Sequence, residues 1–402
     1  MPISSDQTKK IKTLLVLQDH RFHGGAARAA NRWSDLLRDE DCFIQQVAGD
    51  MAEGKGIVLT GKPPRGWGRL LEYFHARGGA RKTKVNQRLK DILENEAPSL
   101  VWFHNIAGGG KWGWSEQMVM QARQYAPVLW TLHDMWGLGN GDKTYWEVNS
   151  SVESGRWKGV GGSGQGARLQ KVCGAAEKYP IQLTAPSRWL AELASKVTGQ
   201  RCSFLHNPID LSIFCPGDRV AARRRLGLPD QGMIILAGAD SLQDRRKGFD
   251  LLREAWTLAG KHGVTLALFG RHAENRPGER YLGNLSSGGE MVAAFRAADL
   301  YVHPARMENA PCQIQESLAC GTPVLAFPVG GIPEMIAPGR TGFLADKVSP
   351  ESLHGALTSV LSNPSRLSGM REECRKTAEV VWRPQSLLEQ FEEVAGAVVS
   401  GW

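Results

Sequence analysis

The chain has 402 residues, which at roughly 100 to 200 residues per domain predicts two domains, each long enough for its own hydrophobic core. Hydrophobic residues at 42% and charged residues at 22% exclude a disordered tail, a fibrous repeat or a disulfide-stapled mini-domain. The formal charge of +8 is unevenly spread: residues 1–200 hold 27 Lys and Arg against 19 Asp and Glu, whereas residues 201–402 hold 22 of each.

The excess concentrates between Lys62 and Lys90, where nine basic residues face the single acid Glu72. Such a stretch implies an anionic partner, whether nucleic acid, a phospholipid surface or a phosphorylated substrate. No apolar run approaches the ~20 residues needed to cross a bilayer, and the opening MPISSDQTKKIK is polar where a signal peptide needs an apolar core. These features predict a cytoplasmic protein. The seven cysteines are scattered and never form a C-x-x-C pair, so neither a zinc site nor a disulfide framework is indicated.

In chain order, short apolar runs predict strands at Thr13 to Leu17, Phe43 to Ala48, Leu100 to His104, Val128 to Leu132 and Gln182 to Ala185, with helical spacing between them as in Ala26 to Leu37. An Asn-Pro pair at Asn207-Pro208 interrupts this series. A second series follows the basic helix Ala221 to Leu226, with strands at Met233 to Ala237, Thr265 to Phe269, Leu300 to His303 and Val324 to Phe327. Near-continuous apolar strands alternating with helices mean parallel sheets covered on both faces. The pattern predicts an α/β protein of two facing Rossmann-like domains, residues 1–206 and 207–383. An amphipathic helix in 384–402 is long enough to pack across a neighbouring domain. Ligands of such sheets sit at the carboxyl ends of the strands, so the chemistry is expected in the cleft between the domains. The Gly-rich stretch 159–166 and the aperiodic tract 135–156 read as one long insertion at its mouth.

Candidate site residues lie at strand ends. Gly24 and Gly25 join the first strand to a helix, where free N–H groups favour an anion. The turn is not a G-x-G-x-x-G fingerprint, which disfavours a nicotinamide dehydrogenase. His133 and Asp134 end the Val128 strand, where an imidazole can donate to a substrate oxygen, and His104 is the competing candidate on the preceding strand. In the second half Arg245, Arg246 and Lys247 stand ahead of the helix Phe249 to Leu258, three cations suited to clamp a diphosphate. The richest stretch is Arg306 to Pro323, where Pro311 is expected at the first helical position and Gly321 at the helix end. Glu308 on the loop and Glu316 inside that helix could meet a sugar ring and ribose hydroxyls, with the helix N-terminus between them for a diphosphate.

These residues resemble the retaining glycosyltransferases of family 4, which have the GT-B fold. The resemblance rests on the E-x7-E pair Glu308/Glu316, the following ACGTPVLAFPVGGIPEMI, the Lys-Gly of RRKGFD, HNPID, APSRWL and TLHDMW. The GGAARAA and FHN segments are most similar to the branch that builds exopolysaccharides of the colanic-acid type. The resemblance implies retaining, metal-independent transfer of a hexose, with no cofactor, from a UDP- or GDP-linked sugar to a saccharide or polyprenyl-diphosphate-linked acceptor. It assigns Glu308 and His133 to the transferred sugar, Glu316 to the ribose, and Lys247 with Arg245 or Arg246 to the diphosphate. Asn309, Ala310, Pro311 and Cys312 would line the donor, Gly24 and Gly25 the phosphate or acceptor side, and His104 and Asp134 the acceptor. The sequence departs from the family pattern after Gly238, where Ala239-Asp240-Ser241 replaces a common Arg.

A nucleotide-sugar 2-epimerase and a catalytically silent scaffold of the same fold are the competing classes. A nucleic-acid binder lacks any RNA-binding signature here. The basic stretch 62–90 also carries Trp67, Tyr73 and Phe74, a composition suited to the inner face of an anionic membrane, although Gly78-Gly79 interrupts the helical pattern. Co-sedimentation with anionic vesicles and not with neutral ones is the expected outcome for that surface; equal partitioning would sink the membrane assignment.

Overall fold

The computed structural model describes residues 11–18, 24–38, 43–48, 57–58, 80–104, 106, 115–134, 172–174, 179–258, 263–271, 276, 278–285 and 287–400. The tract 135–166, most of the basic stretch 62–90 and Cys42 lie outside them. The chain divides into two compact units, residues 1–208 with 384–402, and residues 209–383. The boundary falls two residues beyond the expected one because Asn207 is buried and the Pro208 carbonyl accepts from Arg32 Nη1 at 3.4 Å.

The first unit runs β1 (Thr13–Gln18), α1 (Gly24–Arg38), β2 (Phe43–Ala48), β3 (Ile57–Val58), α2 (Ala80–Glu96), β4 (Leu100–Phe103), α3 (Glu116–Ala122), β5 (Val128–Thr131), β6 (Ile181–Ala185), α4 (Arg188–Thr198) and β7 (Cys202–Phe204). All pairings are parallel, in the order β3-β2-β1-β4-β5-β6-β7. β4 and β5 are buried along their whole length, as parallel strands covered on both faces must be. The two-residue β3 and three-residue β7 are too short to leave an apolar run that sequence patterning can detect.

The second unit contains α5 (Arg219–Arg225), β8 (Met233–Ser241), a 3-10 turn Arg245–Lys247, α6 (Phe249–Leu258), β9 (Val264–Arg271), β10 (Glu279–Tyr281), α7 (Gly288–Ala297), β11 (Leu300–His303), α8 (Cys312–Ala319), β12 (Val324–Ala326), β13 (Gly342–Leu344), α9 (Pro350–Ser362) and α10 (Ser365–Val381). Its sheet is again parallel, in the order β10-β9-β8-β11-β12-β13. Both sheets therefore reverse strand order once, between β1 and β4 in the first and between β8 and β11 in the second. The loops that follow the reversing strands open a crevice at their carboxyl ends.

The chain then returns to the first unit through α11 (Pro384–Ser400). Its Leu387, Leu388, Phe391, Ala395 and Val399 recur at helical spacing and join Leu14, Val16, Trp33, Trp102 and Leu129 in one core. The Phe391 ring stacks on Trp102 at 5.0 Å and tilts against Trp33 at 5.7 Å. No described helix is long and apolar enough to cross a membrane. Phe391→Ala should destabilise the first unit by roughly 3–5 kcal/mol, the range for truncating a buried aromatic, read as a lowered midpoint in urea unfolding.

Candidate functional site

The switch point of the second sheet brings two loops together. After β8, Asp244 caps the 3-10 turn by accepting from the Arg246 N–H at 3.0 Å, and Gly248 ends it in the left-handed region at φ 69°. After β11, the chain from Pro304 to Pro311 leads into α8. The two loops touch backbone to backbone: a Cβ on residue 248 would lie 1.8 Å from the Pro304 carbonyl oxygen, so only glycine fits. Arg306 then bolts them. Its N–H donates to the Arg246 carbonyl and its Nη1 to the Arg245 carbonyl, both at 2.8 Å, and its guanidinium forks onto Asp250 at 2.5 Å per bond.

This junction places the Lys247 ammonium against Glu308 Oε1 in an ion pair. His303 Nε2 lies 3.6 Å from the same oxygen. Behind it, His303 Nδ1 meets the Tyr301 hydroxyl at 3.0 Å, and that hydroxyl donates to Gln313 Oε1 on α8 at 3.0 Å. Burial alone would raise the Glu308 carboxyl, but the Lys247 charge beside it outweighs that and holds the group well below the usual carboxylate range. The result is a fixed anion beside a cation that is still one-third exposed.

The helix α8 differs in detail from expectation. Pro311, at φ −67° and ψ 119°, is the N-cap and Cys312 the first helical residue, because the proline ring fixes φ while leaving ψ extended. Gly321 ends the helix as expected, at φ 75°, with a Schellman pair of bonds from Thr322 N–H to the Ser317 carbonyl and from Gly321 N–H to the Leu318 carbonyl, each 2.9 Å. Asn309, Cys312 and Glu316 are buried, Glu316 completely. Ala310 is half-buried.

The cations ahead of α6 do not act as one group. Arg246 forks onto its own capping residue Asp244, at 3.1 and 2.7 Å, which spends its charge locally. Arg245 is exposed and lines a cavity of about 660 Å³ along α6 with Asp244, Phe249, Asp250 and Arg253. Only Lys247 of the three meets Glu308. Arg306, Tyr301 and His303 were not singled out from the sequence. Tyr301 and His303 share one strand face at i and i+2, the period that could have revealed them inside an otherwise apolar run.

In the first unit, Gly24 begins α1 two residues earlier than spacing predicts, at φ 90°, and among the described residues nothing lies within 4 Å of where a Cβ on Gly24 or Gly25 would be. His104 and His133 form one pair, Nδ1 to Nε2 at 3.0 Å with the rings 5.3 Å apart. They follow β4 and β5, whose ends are tied by Trp102 Nε1 donating to Thr131 at 2.8 Å and by Thr131 against Thr184 of β6 at 2.7 Å. Asp134 follows, half-buried. Burial lowers the His133 imidazole to about 4, and burial together with His133 holds His104 well below the ordinary imidazole value. Two rings at this distance share at most one proton beyond the N–H that each neutral ring carries, and near neutrality neither holds that extra proton. Among the described residues no cluster of three or more His, Cys, Asp or Glu could hold a metal ion.

Residues 234–380, within the second unit, match the family model described as "Glycosyl transferases group 1". A curated relative, the D-inositol 3-phosphate glycosyltransferase of Segniliparus rotundus, is 32% identical over 179 residues, 40% of this chain and 39% of that protein. The chain thus matches less than half the length of that relative. Among solved structures, sucrose-phosphate synthase from Thermosynechococcus elongatus superposes with a TM-score of 0.74 at 18% identity, over 97% of this chain and all of that one. Anabaena Alr3699/HepE in complex with UDP-glucose gives 0.69 at 15% identity, over 96% and 99% of the two chains. At these identities the likeness shows the fold, two parallel-sheet Rossmann-like domains of the GT-B type.

The histidine pair generates a stability prediction. Both rings have depressed values, so above pH 7 they are neutral folded or unfolded and cost nothing; as pH falls below about 6.5 the unfolded chain takes protons that the folded one refuses. Stability should fall by about 2 kcal/mol at pH 5 from His133 alone. Unfolding titrations between pH 7.5 and 5 check this, and His133→Gln should flatten the slope.

Proposed function

We propose that this protein is a retaining glycosyltransferase that moves a hexose from a nucleoside diphosphate sugar to a saccharide or lipid-linked saccharide acceptor in polysaccharide synthesis. The observation that carries the reading is the Lys247–Glu308 pair at the switch point of the second sheet, within the domain that matches group 1 glycosyltransferases. A UDP- or GDP-linked donor would draw Lys247 onto its diphosphate, where the N–H groups opening α8 add to the field. Glu308, left beside the bound sugar, accepts from its hydroxyls. Glu316 is assigned to the ribose, and Asn309 to Cys312 to the wall against the donor.

In the transition state the leaving diphosphate gains charge, and a preorganised cation stabilises that charge more than it stabilises the ground state. No carboxylate is assigned as a covalent nucleophile. The leaving phosphate itself takes the acceptor's proton on the face it departs from, which gives retention. The proposal assigns no step to a metal ion. The His104–His133 pair, neutral near pH 7, can donate one N–H to a sugar hydroxyl, and Gly24 and Gly25 leave room for a ligand to approach the α1 N-terminus. We assign the first unit to the acceptor, on the cytoplasmic face of a membrane if residues 62–90 bind anionic lipid. A phosphorylated acceptor is the second reading. It is favoured by the basic first half of the chain and by the inositol 3-phosphate named for the relative from Segniliparus rotundus.

Lys247→Ala and Glu308→Gln should each lower transfer by roughly a hundredfold or more, the range for losing one preorganised charge partner. Release of nucleoside diphosphate with acceptor present measures this, and NMR of the product anomer reads retention. Unchanged turnover in both variants would overturn the site. Donor consumption without any acceptor would instead favour an epimerase.

A further inference from the structure

We propose that His303 is a positioning residue for Glu308 that takes up a proton when Lys247 passes to the donor diphosphate, so that donor binding and protonation are coupled. The inference rests on the reading of Lys247 and Glu308 as the donor site. It starts from the hydrogen-bond direction along β11. The Tyr301 hydroxyl has one proton and gives it to Gln313 Oε1, an acceptor only, at 3.0 Å. That hydroxyl must then accept from His303, so Nδ1 of the ring carries its N–H at 3.0 Å.

The other ring nitrogen, Nε2, is left facing Glu308. It lies 3.6 Å from Oε1, buried and with no hydrogen-bond partner of its own. A neutral ring in this tautomer presents a lone pair to a carboxylate, which gains nothing. A protonated ring presents a charged donor on the same line. While Lys247 neutralises Glu308, the second cation is not needed.

Donor binding changes the balance. The diphosphate of a nucleotide sugar carries two negative charges and draws the ammonium toward itself. Glu308 is then a mostly buried carboxylate whose other charged or titratable neighbour, among the described residues, is His303; Tyr301 on the strand of His303 is a phenol and Gln313 from α8 a neutral amide. Leaving a buried charge unpaired is costly, and protonation of Nε2 removes that cost while moving the imidazolium into hydrogen-bond contact with Oε1. The proton comes from solvent, because a diesterified diphosphate has none to give near neutrality. Glu308 keeps its orientation toward the sugar after its first partner has moved.

Calorimetric titration of the full chain with UDP-glucose, and with GDP-mannose as a second carrier, tests this at pH 7.5 in phosphate and in Tris, whose ionisation enthalpies differ. We expect between half and one proton taken up per donor bound. The dissociation constant should rise by up to about tenfold per pH unit between pH 7 and 8.5. His303→Gln keeps a donor but cannot titrate, so it should bind with no proton uptake and a flat pH profile. Tyr301→Phe, which frees the Nδ1 proton to be lost, should reduce the uptake and serves if the first variant does not fold. Donor binding by the native protein without proton uptake, or equal uptake in His303→Gln, would overturn the proposal alone. Failure of the native protein to bind either sugar nucleotide would overturn the donor site itself, and this proposal with it.

Discussion

Where the strand order of a parallel sheet reverses, the connections leaving the two adjacent strands run to opposite faces, and a crevice opens at their carboxyl ends. Both sheets of this protein obey that constraint, and candidate site residues follow the reversing strands. In the first unit the reversal lies between β1 and β4, with Gly24 after one and His104 after the other. In the second it lies between β8 and β11, with Lys247 after one and Glu308 after the other. Neither group is a neighbour in sequence. The topology brings Lys247 and Glu308 together in space.

Proximity would be loose without the contact of Gly248 with the Pro304 carbonyl. Backbone packed on backbone at that point removes the slack that side chains would leave, and Arg306 adds two hydrogen bonds to the other loop and two to Asp250 of α6. Held this way, the ammonium and carboxylate need no large side-chain rearrangement to meet. The surrounding cations are handled differently. Arg246 is spent on Asp244, Arg306 on Asp250 and Arg271 on Asp240, so the loops carry several positive charges but direct one of them at Glu308. Asp240 stands near the position where the resemblance places a cation, and it pairs instead with Arg271 at the end of the neighbouring strand β9.

The first unit depends on the end of the chain. Phe391 of α11 lies between Trp33 of α1 and Trp102 of β4, three aromatic side chains in one core. Trp102 also donates to Thr131, and its ring packs 4.5 Å from His104, so the same residue that receives the last helix supports the histidine pair. Burial of that pair, which depresses both imidazoles, is thereby linked to the core that the final helix completes.

The alternation of apolar strands and helices by itself determined the fold class, the two-domain division and the placement of most central strands, because a strand covered on both faces has few alternatives to Val, Leu, Ile and Phe. It also determined that Lys247, Glu308 and His133 stand at strand ends. It could not show short edge strands such as β3 and β13, whose pairing is decided by neighbours rather than by their own two or three residues. Nor could it rank Arg245, Arg246 and Lys247, which are equivalent as letters. Tertiary structure ranked them, since the nearest carboxylate is Asp244 for one and Glu308 for another. His303 was hidden for the same reason: within Leu300 to His303 it reads as the polar end of a buried strand. Only folding puts Tyr301 behind it and Glu308 in front, because partners from a strand, a loop and a helix meet when the sheet closes.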